Sequence, residues 1–281
     1  MTSREPILAN LSFHDYQPPE ADIAREVLTG LRQEQPGLHP KFLYDARGSR
    51  LFEGITRQPE YYPTATEKAL LTAKAPELAG RVHPDTLIAE PGAGNGEKAR
   101  LLLEHWQPRG YMPIEISRDE LLRASRDLAR DFPELAIHAI CADYTRPIDW
   151  PDETPPPRMV FFPGSTLGNF EPGERGPFLQ RLRELAGDGG SLLLGADLHK
   201  DSATLNAAYN DAAGYTAAFN RNILHHLNDV LNAGFETDAF EHEAFYNEDT
   251  RRVEMHLRCH RDQRLRVNGE TVELSAGSTI H

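Results

Sequence analysis

The chain predicts an α/β protein: an open, parallel sheet flanked by helices, joined to a second, smaller domain. Three observations carry that expectation. Apolar runs of strand length alternate with helix-prone stretches from Pro84 to about Leu198, the pattern of repeated βα units. The run Leu87, Ile88, Ala89, Glu90 feeds a polar turn holding Gly92, Gly94 and Gly96, followed by the helix-prone KARLLLEHW. A strand, a glycine-rich turn and a helix make the first βα unit of such a sheet, where small molecules bind beyond the strands' carboxyl ends. Outside this zone the alternation is lost, which marks the second domain.

Taken in order, residues 1 to 83 open with a helix near Ala21 to Glu34 and a polar, aromatic stretch. The apolar positions of that stretch, Phe42, Leu43, Leu51, Phe52 and Ile55, follow helical spacing in part. Pro63 and Thr64 mark a break before a helix through Leu70 and Leu71. The α/β zone, 84 to 200, predicts further strands at Gly110 to Ser117, Leu135 to Tyr144, Met159 to Pro163 and Ser191 to Gly195, with LQRLRELAG as a helix closed by Gly187. PDETPPP, Pro151 to Pro157, reads as a surface connection. In the last zone, 201 to 281, a helical pattern runs from Ser202 to Ala233, and AFEHEAFYN and RVEMHLRCHRDQRLRV then alternate as strands. This zone is expected to join residues 1 to 83 in the second domain, with a return of its end to the sheet left open.

The glycine turn reads as a ligand site. Three glycines close together allow positive φ and let a ligand approach where a Cβ would collide. Glu115 ends the next strand, about twenty residues on, where a carboxylate can accept both ribose hydroxyls of a nucleotide. Asp143 and Tyr144 end the strand after that. Their carboxylate and ring suit the amino group and face of an adenine, although Asp143 also reads as a turn residue before Thr145. The spacing G-x-G-x-G departs from the dinucleotide fingerprint G-x-G-x-x-G. That departure and the Asp143-Tyr144 pair favour S-adenosylmethionine over a nicotinamide dinucleotide.

Composition narrows the partners. At 281 residues and 39% hydrophobic the chain can bury a sizeable core. With 30 basic and 43 acidic residues its net charge is −13, which repels phosphate backbones and argues against nucleic acid. Cys141 and Cys259 are too few for a disulfide framework or zinc cluster. The start of the chain lacks a basic, apolar leader and no run of eighteen apolar residues occurs, so a cytoplasmic protein without membrane contact is expected.

Seven blocks in order, YDARGSRLFEGITRQPEYYPT, EPGAGNGEKARLLL, FFPGSTLGNFEP, LLLGADLHKD, YNDAAGYTAAFNRN, FEHEAFYNED and VEMHLRC, resemble the L-histidine Nα-methyltransferases of ergothioneine biosynthesis. The resemblance runs from about residue 38 to the end. It implies a Rossmann-like S-adenosylmethionine-dependent methyltransferase sheet carrying a smaller substrate-binding domain, and three methyl transfers to histidine that yield the betaine hercynine and S-adenosylhomocysteine. By resemblance, Gly92 and Lys98 contact the methionine part of the cofactor, with Gly94 in the same turn. Glu115 stands where the family usually has Asp, and Tyr144 where it usually has Phe. Tyr61, Asn169 and Tyr209 are implied to hold the amino acid's carboxylate and amine, Met255 to line the pocket near the substrate ring, and Tyr44 to lie near the methylated nitrogen. The resemblance places a glutamate and a serine that recognise imidazole just beyond GSTIH; with the sequence ending at His281, the expectation is a truncated form, with a protein lacking that imidazole clamp as the alternative.

The residue types suit the chemistry on their own account. Methyl transfer needs an aligned, neutral amine and exclusion of water, and the amine's proton must first leave. An amide such as Asn169 offers donor and acceptor together, and tyrosine rings close off solvent while their hydroxyls donate. With the placements that the resemblance implies, catalytic roles are expected for Tyr44 and Asn169. Duller readings stand beside these: Tyr61 packing a loop, Asn169 capping a helix, Tyr209 and Met255 packing a core. His256 and His260 sit four apart on a strand rather than a helix, so no metal site is expected. A monomer acting on a small amino acid is the expected state. Methylation of another amino acid or small amine, or a noncatalytic S-adenosylmethionine-binding protein, are the alternatives.

Overall fold

The computed structural model describes residues 8–83, 85–148 and 150–281, and its chain divides into two compact units. The first comprises residues up to Gln17 and Pro63–Asp197, the second Pro18–Tyr62 and Leu198–His281. In chain order, β1 (Leu11–Tyr16) is followed by α1 (Glu20–Leu31), α2 (Ala46–Thr56) and α3 (Tyr62–Ala79). The alternating zone then runs β2 (Leu87–Pro91), α4 (Glu97–Leu103), β3 (Gly110–Glu115), α5 (Arg118–Asp131), β4 (Ala136–Ala142), β5 (Arg158–Phe162), α6 (Pro172–Ala186) and β6 (Ser191–Leu194). The chain finishes with α7 (Ser202–Ala208), α8 (Tyr215–Leu231), β7 (Phe240–Asn247), β8 (Arg252–Cys259), β9 (Gln263–Val267), β10 (Glu270–Leu274) and β11 (Thr279–Ile280).

The first unit is built on a six-stranded sheet in the order β1-β4-β3-β2-β5-β6, parallel throughout. Strand alternation divides its core into two layers. Ile88, Tyr111, Ile137 and Phe161 pack with Ala99, Leu102, Leu121 and Leu128 of α4 and α5. Leu87, Ala89, Met112, Ile114 and Phe162 pack with Phe178 and Leu182 of α6. Covered on both faces, β2 and β3 are buried at every position, as a central parallel strand must be. The strand order reverses between β2 and β5, and the carboxyl ends flanking that reversal form the crevice in which open α/β sheets take ligands.

The second unit buries α1, α2 and α8 against an antiparallel sheet, β11-β8-β7, and the hairpin β9-β10. Its core joins Val27, Leu31, Phe42, Ile55, Phe219, Leu224, Phe240 and Leu257.

Several boundaries differ from the sequence reading. Residues 1 to 83 do not stay together: β1 pairs with β4 along its whole length and α3 belongs with the sheet, so the crossings fall after Gln17, Tyr62 and Asp197. The expected boundary at Pro84 and residues 1–7 lie outside the described residues. The helical run from Ser202 is interrupted, because the Asp211 carboxylate accepts the backbone N–H groups of Tyr215 and Thr216 and starts α8 afresh. The run from Arg252 turns after Cys259, giving β8 and β9 instead of one strand. No helix among the described residues is long and apolar enough to cross a membrane.

Candidate functional site

In the first unit the glycine turn leaves β2 at the order reversal. Gly92, Gly94 and Gly96 all have positive φ, at 72°, 53° and 72°. At Gly94 nothing lies within 4 Å of where a Cβ would project, so the turn presents open backbone there. Gly92 donates to the Ile114 carbonyl at 2.8 Å, and the Tyr144 ring stands 3.5 Å from its Cβ direction. Tyr144 is held by edge and tilted contacts with Phe162 and Phe178. The turn after β2 and the aromatic residue after β4 thus meet, as the sequence reading requires of one ligand site.

Glu115 is nearly buried and pinned by backbone donors. Its Oε1 accepts from Ile116 N at 2.8 Å and Ser117 N at 3.2 Å, and its Oε2 from Gly94 N at 3.1 Å. A carboxylate has about four acceptor positions, so roughly one remains for a ribose hydroxyl where two were expected. Burial pushes its pKa up, opposed by those three hydrogen bonds. Asp143 Oδ1 accepts the Thr145 backbone N–H at 3.0 Å and hydroxyl at 2.6 Å, and Oδ2 lies 3.2 Å from Arg146. It therefore shapes the turn after β4, and any adenine contact is additional to that role. Lys98, on α4, lies 2.6 Å from Glu67 of α3.

Asn169 ends a short 3-10 turn, Thr166–Asn169, that follows β5 and starts from Ser165 at φ 57°. It is exposed, and Ser165 Oγ is held by the Asp197 backbone N–H at 3.0 Å.

In the second unit the three tyrosines named by resemblance form one aromatic chain. Tyr44 meets Phe52 and Phe219 edge-on at 5.6 and 5.3 Å, Phe52 meets Tyr61 at 6.2 Å, and Tyr61 meets Tyr209 at 6.0 Å. Tyr44, Tyr61 and Met255 all pack against the same core. Tyr209 closes α7, and its carbonyl is 3.0 Å from His242 Nε2, while Asn220 Nδ2 donates to His242 Nδ1 at 3.0 Å. This network assigns the Nε2–H tautomer, and burial pushes the His242 pKa down, keeping the ring neutral. Phe52, Phe219 and His242 lie within the blocks that carry the resemblance, but the sequence reading assigns them no role; only the helical spacing of Phe52 hints at burial. Glu254, His256 and His281 bring ligand atoms within 4.8 Å of one another. The His256 and His281 rings stack at 4.8 Å and 19°, so their in-plane lone pairs do not converge on one ion.

Fold and turn together define an α/β protein that holds a nucleoside-type cofactor. The chain matches, over residues 23–281, the family described as "Histidine-specific methyltransferase, SAM-dependent". It is 41% identical over 256 residues to the histidine N-alpha-methyltransferase of Mycolicibacterium smegmatis, covering 90% of this chain and 79% of that protein. Identity is also 41% over 266 residues to the enzyme of the same name from Mycobacterium tuberculosis, covering 92% and 82%. With ergothioneine biosynthesis protein 1 of Neurospora crassa it is 33% over 196 residues, covering 67% of this chain and 22% of that protein. The chain belongs to the S-adenosylmethionine-dependent, histidine-specific methyltransferases.

The residues present fit that cofactor. Open backbone at Gly94, a carboxylate at Glu115 with acceptor capacity left, and an aromatic ring over Gly92 match the parts of an adenosyl amino acid.

Proposed function

We propose that this protein methylates the α-amino nitrogen of L-histidine with S-adenosylmethionine, giving hercynine for ergothioneine biosynthesis, as a cytoplasmic monomer. The observation that carries the reading is the family match across residues 23–281, which takes in the Pro63–Asp197 part of the first unit and nearly all of the second. When bound, the cofactor supplies an electrophilic methyl group on a sulfonium. Gly92, Gly94 and Lys98 would hold its methionine part, Glu115 a ribose hydroxyl, and Asp143 with Tyr144 the adenine.

The remaining work falls to side chains that orient a nucleophile. Asn169 would donate to the histidine carboxylate and accept from its amine through one amide. Tyr61 and Tyr209 would add hydroxyl donors, with rings whose edge contact at 6.0 Å helps exclude water. Met255 would line the imidazole side. Tyr44, fixed between Phe52 and Phe219, would lie near the reacting nitrogen, accept a hydrogen bond from the neutral amine after its proton has left to solvent water, and tolerate the growing ammonium against its ring.

Mass spectrometry of histidine incubated with the protein and S-adenosylmethionine tests this. Three successive methyl additions to histidine, and none to tryptophan, are expected. Methylation of tryptophan with histidine untouched contradicts the reading.

A further inference from the structure

Glu67, on α3, has no place in the cofactor reading above, yet it is held at the sheet's ligand end by a backbone amide and a lysine. Its side chain and that of Lys98 are 17% and 24% exposed and lie 2.6 Å apart. The Gly164 backbone N–H donates to both of its oxygens, at 2.7 and 3.0 Å. Space for it depends on glycine: a Cβ at Gly195 would sit 2.1 Å from Glu67 Oε1, and one at Gly164 would sit 3.2 Å from Lys98 Nζ. Gly164 follows β5, Gly195 follows β6 and Lys98 follows the turn after β2, so a carboxylate and an ammonium stand together over three strand ends at the order reversal. A tie between α3 and α4 needs none of this, because the more exposed pair Lys68–Glu97 at 3.0 Å already links the same helices.

We infer that Glu67 and Lys98 form a subsite for a zwitterion, in which Lys98 takes the α-carboxylate of the cofactor's methionine end and Glu67 takes its α-ammonium. This rests on the proposed seating of the cofactor on the glycine turn. Without ligand the two side chains neutralise each other; with it, one internal ion pair is exchanged for two charge-assisted pairs of matched sign. The Gly164 amide keeps Glu67 aimed during that exchange. Glu67 is thereby the residue that distinguishes an adenosyl amino acid from adenosine compounds lacking the amino group.

Calorimetry with S-adenosylhomocysteine, its desamino analogue and 5′-methylthioadenosine tests the subsite in wild type, Glu67→Gln and the control Lys68→Gln. Wild type is expected to bind S-adenosylhomocysteine about 10- to 100-fold more tightly than the desamino analogue, the range for a charge-assisted hydrogen bond. Glu67→Gln should lose that preference and leave 5′-methylthioadenosine affinity within about threefold, while Lys68→Gln changes nothing. An undiminished preference in Glu67→Gln, or an equal loss for all three ligands, overturns the subsite and makes Glu67 a structural tie. Wild-type protein that binds none of the three overturns the seating on the glycine turn, and the subsite with it.

Discussion

Replacing Glu90 by glutamine tests the packing beneath the glycine turn through its pH dependence. Glu90, the penultimate residue of β2, is 1% exposed, and the Tyr111 hydroxyl donates to its Oε2 at 2.5 Å. Burial raises its pKa from 4.5 to about 8; the Tyr111 hydrogen bond and the Lys98 charge oppose the rise, while Glu67 and Glu115 add to it. A group whose folded pKa is raised stabilises the fold fully below its unfolded pKa, and that contribution is lost as pH rises through the folded value. The window is therefore from 4.5 to about 8. At about 1.4 kcal/mol per pH unit, the ceiling on the loss is roughly 5 kcal/mol, and relaxation around the ionised group should bring it to about 2 to 4. Glutamine keeps an acceptor for Tyr111 and cannot ionise. Both tryptophans, Trp106 and Trp150, belong to the unit that contains the sheet, so urea unfolding followed by tryptophan fluorescence reports on the correct unit. Wild type and Glu90→Gln should have similar stability near pH 5, and the variant should be the more stable by about 2 to 4 kcal/mol near pH 8.5. Equal pH dependence in the two proteins would refute the buried, neutral carboxyl.

Three further outcomes are expected. Gly92→Val should abolish S-adenosylhomocysteine binding in calorimetry, since φ is 72° and the added branches meet the Tyr144 ring at the turn; unchanged affinity would remove the turn from the site. Asn169→Ala should weaken histidine binding by roughly 1 to 3 kcal/mol with cofactor affinity intact, and loss of the cofactor instead would place Asn169 on the other ligand. Gly48→Ala should destabilise the second unit by about 3 kcal/mol in thermal unfolding followed by circular dichroism, because its Cβ would lie 1.7 Å from the Leu43 carbonyl oxygen; a neutral effect would mean that α2 is packed otherwise.

How much of this the sequence could reveal depends on the range of the interactions. Glu115 and Asp143 were legible because strand periodicity and the carboxyl-end rule are local, and both residues follow short apolar runs. The broken helix before α8 was less so, since Ala-rich residues on either side of Asp211 propose one continuous helix, and the break is made by the Asp211 carboxylate together with Gly214 at φ 78°. β1 pairs with β4 across more than a hundred residues of chain, which no local pattern encodes. Glu67 meets the Gly164 amide 97 residues away, and its meaning depends on two glycines that look like ordinary loop residues in sequence. Tyr44, Tyr61 and Tyr209 came only from resemblance; the aromatic chain joining them through Phe52 and Phe219 exists only once α2 and α8 pack.

The most direct measurement is titration calorimetry of amino acids into protein saturated with S-adenosylhomocysteine. Binding of histidine and its dimethyl form, with tryptophan silent, is the outcome this account requires. Tryptophan binding in place of histidine, or no amino acid binding to cofactor-loaded protein, would contradict it.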